Sequence, residues 1–302
     1  MIAVEAVSKV YRSLLSRGNV AALSEFSLDV ARGEVVGIAG PNGAGKSTLI
    51  SLVLGYLAPT AGRVRVSGQA PRAYVESHGV GYLTEVVAVP PRWSVTAALK
   101  RFAVLGGLGA SGAQRVEAAI ELTGLAEHRR KQVRQLSKGT LQRLGLAQAL
   151  LGERELVILD EPTHGLDPLW TQRFRDIVQA MRRPDRAILI ASHNLDELER
   201  VADRVAIVHQ GRLQRIVKAG QGAVGSLYRL VLAAPVEQLA AAFPNASRVE
   251  GRPLEFRVSG DLALLNAGLA RLLAAGGQVA EFSPEQSGLE REFRAAVGEG
   301  GP

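Results

Sequence analysis

Nine consecutive residues, Gly40-Pro41-Asn42-Gly43-Ala44-Gly45-Lys46-Ser47-Thr48, have the types and spacing that hold a polyphosphate. They match G-x-x-x-x-G-K-[ST], in which glycines let successive backbone N–H groups turn inward around phosphate oxygens. A helix opening at Lys46 adds the partial positive charge of its N-terminus, and the Lys46 ammonium adds a full one for the β- and γ-phosphates. The Ser47 hydroxyl suits Mg²⁺. A second group, Asp160-Glu161, ends the apolar run Leu156-Val157-Ile158-Leu159. Asp160 is expected to hold the Mg²⁺ shell through water. Glu161 is expected to polarise an attacking water as a general base, worth ~10²–10⁴ in rate. Read singly, each group has a plainer alternative: a glycine-rich turn with a solvated lysine, or a strand ending in a solvated acidic pair. Their presence in one chain favours the chemical reading.

Such groups need a sheet edge to meet at. VVGIAG (35–40), LVILD (156–160), AILIAS (187–192) and RVAIVHQG (204–211) are dominated by apolar residues, which predicts strands covered on both faces in a mostly parallel sheet. KSTLISLVLG continues from the glycine-rich loop as a helix. From about 86 to 152 the chain reads mainly as helix, in VTAALKRFAVLGG, AQRVEAAIELTG and LQRLGLAQALLG, each ended by glycine. The fold class is therefore α/β. GQGAVGS at 220–226 predicts a linker between a first domain, 1–219, and a second, 227–302. In the second, strand YRLVLA, helix PVEQLAAAF, a hairpin around Gly251-Arg252-Pro253, helix DLALLNAGLARLLAAGG capped by Asp261, strand QVAEFS and helix GLEREFRAAV follow in order. The order βαββαβ with a last helix predicts a small ferredoxin-like α+β domain.

Composition removes other classes. Hydrophobic residues at 47% and charged residues at 22% are ordinary for a globular protein, which argues against wholesale disorder. No run approaches the roughly 18–20 apolar residues of a membrane-spanning helix, and MIAVEAVSKVY has none of the marks of a secretory signal. With no cysteine, disulfides and thiolate chemistry are excluded, and a reducing cytoplasm is the expected home. The net charge is +7, yet residues 221–302 carry seven basic and nine acidic side chains, so the positive excess lies in the first 220 residues and suits an anionic ligand. Aromatic residues at 5% offer little for stacking bases, so no nucleic-acid partner is expected. His78, His164 and His209 show no ligand spacing, and no metal site made by protein alone is assigned. Asn194-Leu195-Asp196 lacks the lysine of a guanine-reading N-K-x-D tetrad.

With these motifs in place, residues from 1 to about 215 resemble the nucleotide-binding subunits of ATP-binding cassette (ABC) transporters. Leu136-Ser137-Lys138-Gly139-Thr140 followed by Leu-Gln-Arg is similar to the family's signature, usually LSGGQ. Gly165-Leu166-Asp167 after Glu161-Pro162-Thr163 resembles the D-loop, and His193 after AILIAS the switch histidine. The resemblance implies a P-loop NTPase cassette with a helical subdomain. It implies ATP and Mg²⁺ as cofactors, held by the nine residues from Gly40 to Thr48, by Asp160 and by Glu85 where the family usually has glutamine. Ser137 and Gly139 are then expected to meet the nucleotide of a second copy across a head-to-tail pair, Asp167 of the D-loop to be a cofactor-binding residue, and His193 to reach the γ-phosphate or the attacking water. Ser47, Asp160 and Glu85 would be the Mg²⁺ residues. Tyr11 is either the aromatic that stacks on adenine or an ordinary tyrosine, and Glu85 either a Mg²⁺ contact or a loop glutamate. Trp93, in Pro90-Pro91-Arg92-Trp93, either lines the groove for a membrane partner or packs in the helical region. The basic run from His128 to Arg134 is either a solvated face or a contact for lipid headgroups or an acidic partner.

The function implied is an ATPase motor at the inner face of the cell membrane, driving a separate integral-membrane permease, in an exporter-type or accessory-process branch. LGLAQALLG and Glu85 also resemble the ATPase of the copper-processing systems that mature nitrous oxide reductase, although no copper is assigned. Two other classes compete: an ABC ATPase working on ribosomes or DNA, and a nucleotide-sensing module without turnover. A single P-loop without sustained heptads argues against the first, and retention of Glu161 and His193 against the second.

Overall fold

A computed structural model of the chain describes residues 1–12, 18–219, 226–284 and 288–298. It divides into two compact units, the first Met1–Ala219 with the described residues from Ala296 onward, and the second, in its described part, 226–284 and 288–295. The expected linker residues 220–225 lie outside the described residues, as do 13–17 after Tyr11. Among the described residues no helix is long and apolar enough to cross a membrane.

The first unit opens with two long strands, β1 (Ile2–Arg12) and β2 (Asn19–Val30). Next come β3 (Val35–Ala39), α1 (Lys46–Val53), β4 (Ala61–Val66), α2 (Pro71–His78), β5 (Gly81–Leu83), α3 (Val95–Leu105), α4 (Gly112–Leu122) and α5 (Lys138–Leu150). The unit closes with β6 (Leu156–Asp160), α6 (Pro168–Met181), β7 (Ala187–Ser192), α7 (Leu195–Val201), β8 (Arg204–His209) and β9 (Arg212–Lys218). β3, β6 and β7 are buried at every position, as strands covered on both faces must be. They are central in a six-stranded sheet of order β5-β6-β7-β3-β8-β9, parallel except for the β8–β9 pair. The expected run 204–211 is thus strand only to His209; Gln210 and Gly211, both at positive φ, turn the chain back into β9.

A second, antiparallel sheet of order β2-β1-β4 was not expected from the sequence. Its strands alternate buried and exposed residues only in part, because bulges interrupt β1 where it pairs with both neighbours. Val4, Phe26, Ile38, Leu49 and Ile158 belong to one buried cluster, so both sheets and α1 share a core. The helical region has its own core, with Val95, Leu99, Val116, Ile120, Leu144 and Ala147 from α3, α4 and α5. Its entry is zipped to the segment before α5: Val95 N–H donates to the Lys131 carbonyl at 3.1 Å and Val133 N–H to the Trp93 carbonyl at 2.9 Å. Trp93 therefore packs within the helical region, with the Arg101 guanidinium 4.5 Å over its ring. Arg129, in the basic run, pairs with Glu117 and Glu121 at 2.6 and 2.9 Å.

The second unit holds β10 (Ser226–Leu232), α8 (Leu239–Ala242), β11 (Ser247–Arg248), β12 (Glu255–Gly260), α9 (Leu262–Ala274), β13 (Val279–Pro284) and, up to Ala295, α10 (Gly288–Val297). Its antiparallel sheet has the order β11-β12-β10-β13, the ferredoxin-like arrangement of a βαββαβ chain. Asp261 caps α9, accepting from Leu264 N–H at 2.8 Å. The helix expected over 235–243 is reduced to the four residues of α8, since the chain turns at Glu237 and Gln238 and leaves helical geometry at Phe243 (φ −132°).

Leu99 is fully buried among α3, α4 and α5. Leu99→Ala is expected to lower unfolding free energy by about 2–5 kcal/mol in a denaturant titration. A loss below ~1 kcal/mol would show that this helical core collapses around the deletion.

Candidate nucleotide-binding site

Register brings the chemical residues together. β3, β7 and β6 lie side by side, with Ala39 opposite Ser192 and Asp160 opposite Ala191. The residues that follow, Gly40, His193 and Glu161, therefore leave the sheet at one edge, where such folds place ligands. After Gly40 the chain turns over Asn42–Gly43 and reaches Gly45 at φ +108°, a backbone only glycine takes readily. A Cβ at Gly45 would also stand 2.6 Å from the Ala22 carbonyl oxygen, so the loop closes tightly on β2. α1 then starts with no side-chain cap and no acidic residue in its first turn, leaving its first N–H groups for a ligand.

The resulting cavity, about 270 Å³, is lined by Ala22, Pro41 to Thr48, Glu85, Asp160 and Glu161. Lys46 is buried; its ammonium donates to the Gly40 and Pro41 carbonyls at 2.6 and 3.3 Å and lies 3.6 Å from Glu161 Oε1. Glu161, also buried, is held from several directions. Ser192 Oγ donates to Oε2 at 3.3 Å, His193 N–H donates to Oε1 at 3.1 Å, and His193 Nδ1 lies 2.8 Å from Oε2. Its backbone is in the left-handed region, φ +47°, a strained conformation for glutamate of the kind that marks functional sites. The fully buried β6 brings Asp160 to the same cavity. Burial first, then the charges of Glu161 and Glu85, push its carboxyl up to about 6, against the pull of Lys46 and a hydrogen bond with Ser47.

Asp160 Oδ1 is buried with no hydrogen-bond partner. An unsatisfied carboxylate oxygen beside the Ser47 hydroxyl, with Glu85 also on the wall, is a hard-oxygen donor set that fits Mg²⁺. Among the described residues no cluster of three acidic, histidine or cysteine ligands exists, so phosphate oxygens would complete the shell of such an ion.

The comparisons with known proteins decide the family. Residues 23–164 match the ABC transporter family. An uncharacterized ABC transporter ATP-binding protein of Bacillus subtilis, YdbJ, is 31% identical over 93% of this chain and 92% of its own length. The chain belongs to the ABC transporter ATP-binding proteins. An uncharacterized member from Nostoc is 41% identical over 68% of this chain, a match that spans 62% of that relative's length. The daunorubicin resistance ATP-binding protein DrrA3 of Streptomyces coeruleorubidus is 39% identical over 65% of this chain and 63% of its own. Among solved structures, a dimeric ATP-binding cassette in a post-hydrolysis state with ADP and Pi shares the fold: TM-score 0.67, 21% identity, 72% of this chain and 99% of that one.

Not every residue read from the sequence lines the cassette's cavity. Ser137 is the N-cap of α5, accepting from Thr140 N–H at 3.2 Å, and Asp167 the N-cap of α6, accepting from Trp170 N–H at 2.9 Å; neither lines it, nor does Gly139. Tyr11 is on β1 opposite Val20, with Lys9 Nζ 5.6 Å from its ring centre, and is also outside the lining. Reading by sequence missed Ala22, Ser192 and Gln142. Gln142 is buried in α5, and its Nε2 donates to the Glu161 and Pro162 carbonyls at 3.0 and 3.3 Å, bracing the strained turn. The signal for Gln142 is its place in Leu-Gln-Arg after the signature; Ala22, on a strand that was not foreseen, carries none.

The Asp160 shift sets a pH dependence. Its folded value, about 6, lies above the ordinary 3.8, so the unfolded chain ionises first and stability falls as pH rises between them. Without nucleotide or cation, Asp160→Asn is expected to change unfolding free energy little below pH ~4 and to raise it by roughly 3 kcal/mol at pH 7. A gain independent of pH would refute the buried-charge account.

Proposed function

We propose that the chain is the ATP-hydrolysing motor subunit of an ABC transporter, binding MgATP between two head-to-tail copies and driving a separate membrane permease. The observation that carries this reading is the buried Lys46–Glu161 contact beside the unsatisfied Asp160 carboxylate, at the opening of an uncapped helix. Such a pocket favours a polyanion accompanied by a divalent cation.

The backbone from Pro41 to Thr48 grips the phosphates and Lys46 adds its charge to them. Ser47 and Asp160, with Glu85 nearby, would hold Mg²⁺, which would supply positive charge to neutralise the phosphates. Glu161 takes the proton of the water that attacks the γ-phosphorus, and the bond to the β,γ-bridging oxygen breaks with its electron pair leaving on ADP. His193 holds Glu161 through Nδ1, which leaves Nε2 directed to other partners. Ser137, the N-cap of α5, and Gly139 in its first turn form a second helix opening for an anion, and Asp167 opens α6; in the pair they face the nucleotide bound by the other copy. This arrangement accounts for their absence from the cavity of their own chain. Tyr11 is kept as the adenine-stacking residue.

Daunorubicin resistance in the name of one relative supports an exporter-type system. The proposed place is the cytoplasmic face of the membrane, held there by the permease. Residues 1–219 would form the cassette, with the helical region about 86–152, and 227–302 an accessory α+β domain.

Glu161→Gln is expected to retain ATP binding, slow hydrolysis by ~10²-fold or more and accumulate an ATP-bound pair in size-exclusion chromatography. Lys46→Ala is expected to lose nucleotide affinity itself. Full turnover in the first variant, or unchanged affinity in the second, would overturn the assignment.

A further inference from the structure

Contacts around Glu161 reach beyond the residues that hydrolysis requires. His164 follows three residues later, and its N–H returns to the Glu161 carbonyl at 3.1 Å. Its ring stands edge-on to His193, centroids 6.5 Å apart and planes at 89°. On its other side His164 Nε2 lies 2.7 Å from Lys138 Nζ, within the Leu136–Thr140 motif. An ammonium can only donate, so in this contact Lys138 donates and His164 Nε2 accepts.

The stem of Lys138 is confined as well. It lies against Gly165, where a Cβ would come within 3.0 Å of Lys138 Cγ and Cδ. A Cβ on Gly139 would stand 2.7 Å from the Gly165 carbonyl oxygen. The turn that opens α5 and the turn after Glu161 are thus in backbone contact, with Lys138 laid across the seam. Lys138 and His164 are both exposed, and Lys138 has no carboxylate partner among the described residues. A lysine on a flexible stem at a helix opening would ordinarily sample many positions; here one acceptor selects one.

We propose that His164 is a positioning residue for the second nucleotide site: it holds the Lys138 ammonium at the opening of α5, so that one copy presents this charge to the triphosphate bound by the other. The edge contact with His193 ties that presentation to the copy's own Glu161–His193 pair. This rests on the head-to-tail pairing proposed above.

The test is steady-state ATP hydrolysis by the full chain and four variants: His164→Ala, His164→Gln, Lys138→Ala and the double His164→Ala/Lys138→Ala. Each alanine variant is expected to raise KM for ATP by about three- to tenfold, the size of one hydrogen bond, with kcat within about twofold. Gln places an acceptor near the Nε2 position, so His164→Gln should return KM to within about twofold of the parent chain. The double variant should match Lys138→Ala alone, since His164 acts through Lys138. An unchanged KM in His164→Ala, no rescue by glutamine, or effects that multiply in the double variant would overturn the proposal. If His164→Ala does not fold, the glutamine and Lys138 variants decide it alone. An unsubstituted chain that shows no saturable ATP turnover would overturn the ATPase reading as well; normal turnover with unaltered KM in the variants overturns this inference only.

Discussion

Three charged groups share one buried space at the carboxyl edge of the sheet. Lys46, Asp160 and Glu161 are each under a tenth exposed, and charges so removed from water must be paired or displaced in pKa. One ammonium cannot neutralise two carboxylates. Lys46 lies with Glu161, and Asp160 is left over: burial first, then the charges of Glu161 and Glu85, push its carboxyl up to about 6, and its Oδ1 finds no donor. This imbalance shapes the pocket's selectivity in the proposed function. A bare polyphosphate adds negative charge to it; one carrying a divalent cation supplies the missing positive charge beside Asp160.

The geometry that holds these charges comes from four parts of the chain. Glu161 is fixed in a left-handed conformation by Gln142 beneath its carbonyl and by Ser192 and the His193 N–H at its carboxylate. α5 contributes Gln142 on its buried side and opens at Ser137 on its exposed end, so one helix both braces the Glu161 turn and carries the start of the Leu136–Thr140 motif. The His164–Gly165 turn packs on that same opening. In the proposed function, the half-site for one copy's own nucleotide and the half-site for its partner's would be mechanically one object.

Much of this was legible in the sequence because it is local. The glycine loop, the apolar run into Asp160-Glu161 and the mostly apolar strands β3, β6, β7 and β8 announce themselves by residue type alone. Asp261 as the cap of α9 and the βαββαβ order of the second unit were equally readable. The antiparallel sheet was not: bulges break the alternation of β1 and β2, so their period does not stand out. The helix at 235–243 was overread, since proline and alanine propensities promised more than four residues of packing sustained. His164 looked like an unattached histidine because its partners, Lys138 and His193, are 26 and 29 positions away in the chain.

The sequence by itself determined which chemistry was available: a phosphate-binding loop, a pair of carboxylates, an imidazole and a second helix opening, each carried by residues adjacent along the backbone. Only the tertiary structure decided who touches whom. The parallel register of β3, β6 and β7 places three distant loops at one edge, and burial there converts ordinary acids and an ordinary lysine into a strained, charge-imbalanced site. Covalent neighbours fix residue type and local geometry. Desolvation and through-space pairing depend on the whole fold, and no short stretch of chain contains them.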